Sequence, residues 1–326
     1  MQILVTGGAG FIGSHFVRSL VDGAYPALSG DVRVLDLLTY AGRRENLAGY
    51  LSDSGVDLVV GDIRDPEAVG RAVAGVDVVV HFAAESHVDR SITGAADFVS
   101  TNVVGTQVML QAALDAGVGK FVHVSTDEVY GSISEGSWPE TDPLLPNSPY
   151  SASKAGSDLL ARSYFRTHGL DVSITRCSNN YGPYQFPEKV IPLFVTNLLD
   201  GRKVPLYGDG LNVRDWLHVD DHCRGIALVA GGGRAGEIYN IGGGTELTNH
   251  DLTHRLLAAV GAGEDMIERV ADRKGHDRRY SVDWSKINAE LGYAPRHSFD
   301  EGLAETVAWY RDNRPWWEPI KSGVSA

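Results

Sequence analysis

Three glycines spaced three residues apart, Gly7, Gly10 and Gly13, constrain the fold of this chain more than any other feature of its sequence. They lie between an apolar stretch at residues 2–6 and a helical pattern at residues 14–22. Glycine lets a ligand approach the backbone closely, and the free N–H groups and dipole of the following helix attract a phosphate. The strand, turn and helix together predict a site for the pyrophosphate of a dinucleotide.

The first half of the chain alternates short β-rich runs with helical patterns, which is typical of a parallel sheet. Helices are predicted at 14–22, 66–74, 99–116 and 151–168, and strands at 2–6, 32–36, 58–61, 76–82, 121–125 and 172–176. The near-continuous Val and Ile content of the strands indicates that both faces of the sheet are covered. We therefore expect an α/β fold with a doubly wound parallel sheet of the Rossmann type.

The sequence changes character after Cys177, where loops rich in Asn, Gly and Pro are mixed with predicted helices at 190–200 and 220–230. We interpret residues 1–177 as a dinucleotide-binding domain and residues 178–326 mainly as a smaller C-terminal substrate-binding lobe. Part of the second half is expected to re-enter the first domain, as α/β chains often do.

Composition argues against several classes of function. A net charge of −13 disfavours a general binder of nucleic acids or membrane surfaces, because either needs a dominant basic face. The two cysteines, Cys177 and Cys223, are too few for a disulfide scaffold or a cysteine-ligated metal, and we expect no metal site. We predict a cytoplasmic protein, because we find neither a signal-peptide pattern nor an apolar run of membrane-spanning length.

A carboxylate placed about twenty residues beyond the last glycine indicates which dinucleotide binds. Asp36 ends the second predicted strand, where it can bind the ribose hydroxyls of adenosine and would repel a 2′-phosphate. NAD is therefore preferred over NADP as the cofactor. Asp62 and Ile63 end the third strand, where they can meet the adenine, and Ala83 and Ala84 follow the fourth, where they let the cofactor pass closely.

Tyr150 and Lys154 are four residues apart at the start of a predicted helix, so they share a face. A free tyrosine has a pKa near ~10, and action as a base near pH 7 needs a shift of roughly three units, or about 4 kcal/mol. An ammonium about 4 Å away supplies on the order of 4 kcal/mol in a partly shielded site. We predict that Lys154 lowers the pKa of Tyr150, whose phenolate takes a proton from a sugar hydroxyl while NAD accepts hydride.

Together with the glycine turn, the Tyr-x-x-x-Lys pattern resembles the extended short-chain dehydrogenase/reductase superfamily. Within that superfamily, four segments resemble the dTDP-glucose 4,6-dehydratases: AAESHVDRS at 83–91, TDEVYG at 126–131, SNNYGP at 178–183 and RDW at 214–216. The resemblance covers nearly the whole chain. It implies a lyase that removes water from a nucleotide-linked sugar through a transient oxidation of the sugar ring.

Two adjacent acids suit such a dehydration. Once C4 of the sugar is a ketone, the C5 proton is acidic, and a base at C5 with an acid at the C6 hydroxyl can expel water. The resemblance assigns the base to Glu128, the acid to Asp127 and a contact with O4 to Thr126. Hydride then returns to C6, which leaves a 4-keto-6-deoxy sugar and regenerates tightly bound NAD.

The resemblance also implies the remaining binding residues and the assembly. Further cofactor contacts are expected from Phe11, Ile12, Thr101, Tyr150, Lys154 and Asn180. Substrate contacts are expected from Ser86, Thr126, Asn179, Glu188, Lys189, Pro205, Tyr207, Arg214, Asn249, Arg273, His276 and Tyr280. Cations for the diphosphate are sought among Lys189, Arg214, Arg273 and Arg279. A homodimer is implied, joined through the helices that contain residues 107–116 and 151–168.

Three alternatives stay open at this point. A 4-epimerase of a UDP-sugar needs the ketone but no acid–base pair at C5 and C6, so Asp127 and Glu128 argue against it. A decarboxylase needs a cationic partner for a substrate carboxylate, which the segment around these acids does not supply. A non-enzymatic NAD sensor would have no need for Tyr150, Lys154 or the two acids.

Overall fold

The computed structural model describes residues 1–51 and 55–323, so the last three residues of the predicted C-terminal lobe lie outside it. Its strands are β1 Gln2–Thr6, β2 Asp31–Asp36, β3 Val56–Val60, β4 Val78–His81, β5 Lys120–Thr126, β6 Val172–Cys177, β7 Asn179–Tyr181, β8 Val204–Tyr207, β9 Val213–His218, β10 Ile238–Ile241, β11 Glu246–Thr248 and β12 Ile267–Val270.

The centre of the fold is a seven-stranded parallel sheet in the order β10-β6-β5-β4-β1-β2-β3. All seven residues of β5 are buried, as expected for a strand covered on both faces. The order of the strands reverses between β1 and β4, and a crevice opens at such a switch point. The predicted doubly wound Rossmann-type sheet is confirmed.

Helices cover both faces of this sheet and build the second half of the chain. They are α1 Phe11–Val21, α2 Pro66–Val73, α3 Val88–Thr93, α4 Ala95–Phe98, α5 Thr106–Asp115, α6 Pro149–His168, α7 Val190–Leu199, α8 Val219–Gly232, α9 Asn249–Val260, α10 Ser285–Leu291, α11 Phe299–Asp312 and α12 Arg314–Lys321. A π-helical stretch, Val99–Gly105, joins α4 to α5. Among the described helices, none is both long enough and apolar enough to cross a membrane.

The start of α6 is fixed by its own sequence. Ser148 caps the helix in a reciprocal capping box with Ser151, and Pro149 occupies the first turn, where its missing N–H costs nothing. The helix ends at Gly169, which adopts the left-handed conformation with φ of 74°. These signals place Tyr150 in the first turn of α6, at the carboxyl end of β5.

The second half contains two small sheets, β11-β9-β7 and β12-β8, packed with helices around a separate apolar cluster. Strand β10 pairs in parallel with β6, and α8 packs against β5 and β6, so part of the second half belongs to the central sheet and its cover. The re-entry is therefore observed. The division of the chain at residue 177 stays a prediction.

Most predicted elements differ from the structure by one or two residues at their ends. The largest difference concerns the helix predicted at 99–116, which continues backwards through the π-helical stretch to Ala95. The helix α3 was not predicted. His81 and His123, which lie in β4 and β5, are packed core residues that are 1% and 0% exposed.

Candidate active site

Two joined cavities lie at the carboxyl ends of the central strands. The larger cavity, about 720 Å³, is lined by residues that end or follow β1, β2, β3, β4, β5 and β6. The smaller cavity, about 200 Å³, is lined mainly by residues of the second half. Six residues line both: Glu128, Asn179, Asn180, Gln185, Glu188 and Lys189. A ligand that occupies both cavities would thus pass the two adjacent acids.

The structure brings the predicted binding residues together around these cavities. The larger cavity is lined by every predicted cofactor residue: Gly7, Gly10, Phe11, Ile12, Gly13, Asp36, Asp62, Ile63, Ala83, Ala84, Thr101, Tyr150, Lys154 and Asn180. It is also lined by Ser86 and Thr126, and the smaller cavity by Asn179, Glu188, Lys189, Pro205, Tyr207, Arg214, Asn249, Arg273, His276 and Tyr280. Their contacts with a ligand stay predictions.

The glycine turn is shaped for close approach of a dinucleotide. Gly7 has φ of +67°, and a Cβ added there would lie 2.7 Å from the backbone nitrogen of Ala83. Gly10 precedes α1, and no described side chain caps the first turn of this helix. The helix therefore presents its N–H groups and positive dipole end at the cavity, which suits a pyrophosphate.

Asp36 is held rigidly at the end of β2. Its carboxylate accepts hydrogen bonds from the backbone N–H groups of Ala9 at 2.9 Å and Leu38 at 2.8 Å. Arg43, which could have offered a site for a 2′-phosphate, instead forms an ion pair with Glu45 at 3.4 Å. The carboxylate thus faces the cavity without a cationic partner nearby in its loop, and this arrangement fits NAD.

Asp62 already forms an ion pair, which the sequence did not indicate. Its carboxylate binds the Arg64 guanidinium, with 2.6 Å between Oδ2 and Nη2, and this pairing lowers the pKa of Asp62. Ile63 beside it is 5% exposed and packs under Gly105 of the π-helical stretch. The end of β3 therefore offers the cavity an apolar wall and an already paired carboxylate.

Tyr150 and Lys154 both line the larger cavity, but their electrostatics differ from the prediction. Burial, and then the charge of Glu128, hold the pKa of Tyr150 well above its ordinary value. The Lys154 ammonium donates a hydrogen bond to the Val124 carbonyl at 2.8 Å, and burial lowers its pKa to about 8. Burial and the neighbouring carboxyl thus act on Tyr150 against the predicted effect of Lys154, and that effect stays a prediction.

Asp127 lies in the environment expected of a carboxylic acid that stays protonated. Burial, followed by the charges of Glu128 and Asp215, raises its pKa well above the ordinary value. The Thr126 hydroxyl donates to its Oδ1 at 3.2 Å, while Oδ2 has no hydrogen-bond partner within residues 1–51 and 55–323. A protonated Oδ2 could therefore donate to a ligand in the cavity.

Glu128 lies in a different environment, although it is the next residue. Burial raises its pKa, but the charges of Arg273, Arg214 and Lys189 act in the opposite direction and favour the carboxylate. For Asp127, the neighbouring charges act mainly in the same direction as burial. The surroundings thus separate the pKa values of the two adjacent carboxyls, with Asp127 as the better acid donor and Glu128 as the better base.

Three cations border the smaller cavity. Arg214 donates to the Asp277 carbonyl at 2.9 Å and lies 4.3 Å from the centre of the Tyr280 ring. Arg273 is 3.8 Å from Asp89, and its Nε has no partner among the described residues. Lys189 donates to the Ser86 carbonyl at 2.8 Å. These side chains give a strongly acidic protein a local basic wall.

Arg279, a fourth candidate, lines neither cavity. Its guanidinium forms a two-bond ion pair with Glu246, at 2.8 and 2.7 Å. The interpretation of Arg279 as a phosphate contact is therefore wrong, because two N–H groups of its guanidinium already donate to a carboxylate. The spacing of arginines in the sequence could not reveal a partner 33 residues away.

Several residues of the cavities were not singled out from the sequence. Tyr40 and Arg90 line the larger cavity, and Cys177 lies beside Tyr150 and Lys154 at the end of β6. Asp215 accepts hydrogen bonds from Ser178 at 2.5 Å and from two backbone N–H groups, so it joins β9 to the loop after β10. Arg90 and Asp215 lie within the segments of the resemblance and Cys177 lies beside one, whereas Tyr40 lies outside all four segments.

Comparisons with known proteins agree with this geometry. Residues 4–306 match the family described as GDP-mannose 4,6 dehydratase. A dTDP-glucose 4,6-dehydratase from Streptomyces antibioticus is 66% identical over 325 residues, which cover 98% of this chain and 96% of that protein. The crystal structure of DesIV, a dTDP-glucose 4,6-dehydratase from Streptomyces venezuelae with NAD and TYD bound, has a TM-score of 0.97 and 68% identity, covering 98% of this chain and 100% of that one.

A solved structure with a different activity gives the contrast. A UDP-glucose 4-epimerase from Thermotoga maritima with UDP-glucose has a TM-score of 0.89, covering 96% of this chain and 100% of that one, but its identity is 34%. The scaffold is thus shared between activities, while the sequence is far closer to the dehydratases. This chain belongs to the GDP-mannose 4,6 dehydratase family and, within it, to the dTDP-glucose 4,6-dehydratases.

Proposed function

We propose that this chain converts dTDP-glucose into dTDP-4-keto-6-deoxyglucose with NAD as a cofactor that is regenerated in each turnover. The reaction oxidises C4, eliminates water across C5 and C6, and returns hydride to C6. The observation that carries the proposal is the pair of adjacent carboxyls, Asp127 and Glu128, whose surroundings differ: acidic neighbours add to burial in raising the pKa of Asp127, whereas three cations oppose burial at Glu128. A dehydration needs one acid and one base on neighbouring carbons, and this pair supplies both.

Oxidation at C4 depends on Tyr150, Thr126 and Lys154. Tyr150 accepts the proton of the 4-hydroxyl, while Thr126, which ends β5 and lines the same cavity, positions the oxygen. The Lys154 ammonium provides a buried positive charge on the same helix face. When bound, NAD supplies the hydride acceptor and donor, together with a nicotinamide charge that favours the Tyr150 phenolate.

Elimination depends on Glu128 and Asp127. Glu128 removes the C5 proton, which the C4 ketone makes acidic, and the three surrounding cations favour its carboxylate against the effect of burial. Asp127 donates its proton to the C6 hydroxyl, which leaves as water. Burial serves the second of these roles, because removing water from around Asp127 favours its neutral, proton-donating form.

The diphosphate of the substrate is assigned to the smaller cavity. Arg214, Arg273 and Lys189 form its basic wall, and Arg273 keeps a buried Nε free to donate. Guanidinium groups suit the forked contact that a phosphate offers. Tyr207 and Pro205, from β8, and Asn249, from α9, line the end that we assign to the base.

The test is to incubate the purified protein with trace NAD and, in separate reactions, dTDP-glucose, UDP-glucose and GDP-mannose. Mass spectrometry is expected to detect loss of one water from dTDP-glucose alone. The trace amount of NAD must support many turnovers, because the cofactor ends each cycle oxidised. An unchanged mass with an inverted centre at C4 would contradict the proposal and identify an epimerase, the second candidate on this scaffold.

We also propose that the protein acts as a homodimer joined through α5, α6 and the π-helical stretch. Val99, Val104 and Leu159 are 50%, 48% and 57% exposed on these adjacent helices, and large exposed apolar side chains in one area favour an interface. Light scattering at micromolar concentration is expected to give twice the chain mass. Leu159→Glu is expected to yield monomers, whereas Leu145→Glu, at a residue 60% exposed elsewhere, should not. A light-scattering mass of one chain for the wild type would contradict the proposal.

A cytoplasmic location forms part of the same proposal. It is supported by the two cysteines, Cys177 and Cys223, which are buried and not joined in a disulfide. Localisation of a tagged full-length chain by cell fractionation would test it directly.

A further inference from the structure

Four side chains from three separate segments meet at the rim of the larger cavity. Tyr40 comes from the loop after β2, Arg90 from α3, and Phe186 and Glu188 from the loop before α7. We refer to these four residues as the clasp. The first two segments belong to the first half of the chain and the third to the second half, so the clasp joins the two halves across the cavity.

The Arg90 guanidinium is the central member of the clasp. Its carbon lies 3.8 Å from the centre of the Tyr40 ring, and its Nη2 donates to Glu188 at 2.9 Å. The side chain of Arg90 is 50% exposed, whereas that of Glu188 is 16% exposed. Arg90 therefore lies on the solvent side of the cavity, with one face on an aromatic ring and one edge on a carboxylate.

Tyr40 completes the contact between the two halves. Its ring meets Phe186 edge to face, with 5.3 Å between the centroids. Burial, followed by the negative charges of Glu188 and Glu85, raises the pKa of Tyr40, so the phenol stays neutral beside these acids. The Tyr40 ring thus contacts a cation and an aromatic ring that come from different segments.

The loop that carries Tyr40 is fastened to the residue predicted to bind the adenosine ribose. Leu38 adopts a left-handed backbone conformation, with φ of 55°, and its N–H donates to Asp36 at 2.8 Å. Gly42 packs so closely on the same carboxylate that a Cβ would collide with it. A strained non-glycine residue in a tight loop indicates that surrounding contacts fix the loop conformation.

The opposite side of the clasp is also anchored. Gln185 donates to the Asn180 carbonyl at 2.9 Å and accepts a hydrogen bond from Tyr310 through its own carbonyl. The Asn180 side-chain oxygen in turn accepts a hydrogen bond from the buried His222 at 2.8 Å. The segment that carries Phe186 and Glu188 is therefore held against residues that line the larger cavity.

We propose that Tyr40 and Arg90 hold the dinucleotide in the larger cavity by closing its rim against Phe186 and Glu188. The inference rests on the proposed function, in which the reduced cofactor must stay bound until hydride returns to the same sugar. Release before elimination would leave a 4-keto sugar that still carries its 6-hydroxyl, and release after elimination would leave the unsaturated 4-keto sugar. Either release leaves one reduced cofactor for each sugar oxidised. Tyr40 and Arg90 are positioning residues in this account, because they restrain the cofactor and take no part in proton transfer.

The direct test is the rate at which the protein releases NAD. Protein loaded with radiolabelled NAD is chased with excess unlabelled NAD, and the label that remains bound is followed after rapid gel filtration. Tyr40→Leu and Arg90→Met are each expected to release label about ten-fold faster, since each removes a cation–π contact and Arg90→Met also removes an ion pair. Tyr40→Phe keeps the ring and is expected to release NAD at nearly the wild-type rate.

A double variant tests whether Tyr40 and Arg90 act together through the clasp or contact the cofactor independently of each other. If Tyr40 and Arg90 act through one shared contact, Tyr40→Leu/Arg90→Met should release NAD little faster than either single variant. If the fold-increases in NAD release of the two single variants multiply in the double variant, the proposal is overturned. Wild-type release rates in both single variants would also overturn it. Arg278→Met, at an exposed arginine paired with Asp209, is the matched control and should not change the rate.

The same variants test the clasp independently of the proposed reaction. Release of NAD is measured without any sugar, so it reports on the clasp even if dTDP-glucose is not dehydrated. Thermal unfolding of each variant shows whether the fold is retained, and Tyr40→Phe tests the ring at constant shape. With dTDP-glucose, Arg90→Met is expected to release 4-keto sugar that has not lost water, and to need added NAD. If the variant, like the wild type, releases none of this sugar, the result counts against the proposal.

Discussion

The variant Tyr150→Phe is expected to lose the C4 oxidation and, with it, all later steps. Removal of the phenol leaves no group in the first turn of α6 that can take the proton from the 4-hydroxyl, and loss of a positioned base costs roughly 10²–10⁴-fold in rate. The side chain is 9% exposed and packs edge to face on Phe98 with 6.3 Å between ring centroids, so phenylalanine fits the same space. The measurement is kcat for water loss, with substrate deuterated at C4.

A matched tyrosine on the same helix provides the control. Tyr164 is 7% exposed and donates to Gln111 at 3.0 Å, on a part of α6 that lines neither cavity. Tyr164→Phe should therefore keep nearly the wild-type kcat while losing two hydrogen bonds, with Gln107 and Gln111. If Tyr150→Phe still transferred deuterium from C4 to C6 at the wild-type rate, the phenol would not be the base and Thr126 would become the first residue to test.

The central sheet could be predicted from the sequence because its signals are local. A glycine turn, continuous Val and Ile runs and helical periodicity each depend on residues within a few positions of one another. The same is true of the start of α6, where Ser148, Pro149 and Ser151 specify the cap. The π-helical stretch from Val99 to Gly105 was missed because seven residues are too few for apolar spacing to distinguish i→i+5 from i→i+4 hydrogen bonds.

The residues around the cavities could be predicted, but their protonation states could not. The motifs identify which side chains gather at the carboxyl edge of the sheet, and the structure brings the predicted binding residues other than Arg279 to the two cavities. The pKa of Tyr150, in contrast, depends on its burial and on the carboxyl of Glu128. Pairings between distant residues, such as Arg90 with Glu188, are likewise set by the tertiary fold.

The adjacent acids show where sequence and structure have to be combined. The motif indicates that Asp127 and Glu128 act together, and the resemblance assigns them different roles. The structure gives a physical reason for the difference, since Arg273, Arg214 and Lys189 favour the charged form of Glu128, whereas neighbouring acids and burial favour the neutral form of Asp127. No spacing rule could have supplied the three cations, which come from residues 189–273 of the chain.

The variant Glu128→Gln is expected to oxidise C4 and then stall. Glutamine keeps the shape of the side chain but cannot take the C5 proton, so water loss should fall roughly 10²–10⁴-fold. Oxidation should persist, because Tyr150 and Thr126 are unchanged. Rapid-quench analysis with C4-deuterated substrate is expected to show loss of deuterium from the sugar without loss of water. Glu246→Gln, at a residue paired with Arg279 outside both cavities, is the matched control and should retain kcat.

Solvent exchange at C5 separates the roles of the two carboxyls. In D₂O, Glu128→Gln should not incorporate deuterium at C5 of the oxidised sugar, because the group that removes the proton is gone. Asp127→Asn keeps Glu128 and should permit this exchange, yet water loss should still be slow, since an amide cannot deliver a proton to the C6 oxygen. Equal loss of oxidation and elimination in Glu128→Gln would count against the division of labour, because a group needed only at C5 cannot slow the step at C4. Exchange that stops in Asp127→Asn and continues in Glu128→Gln would reverse the two assignments, with Asp127 as the base.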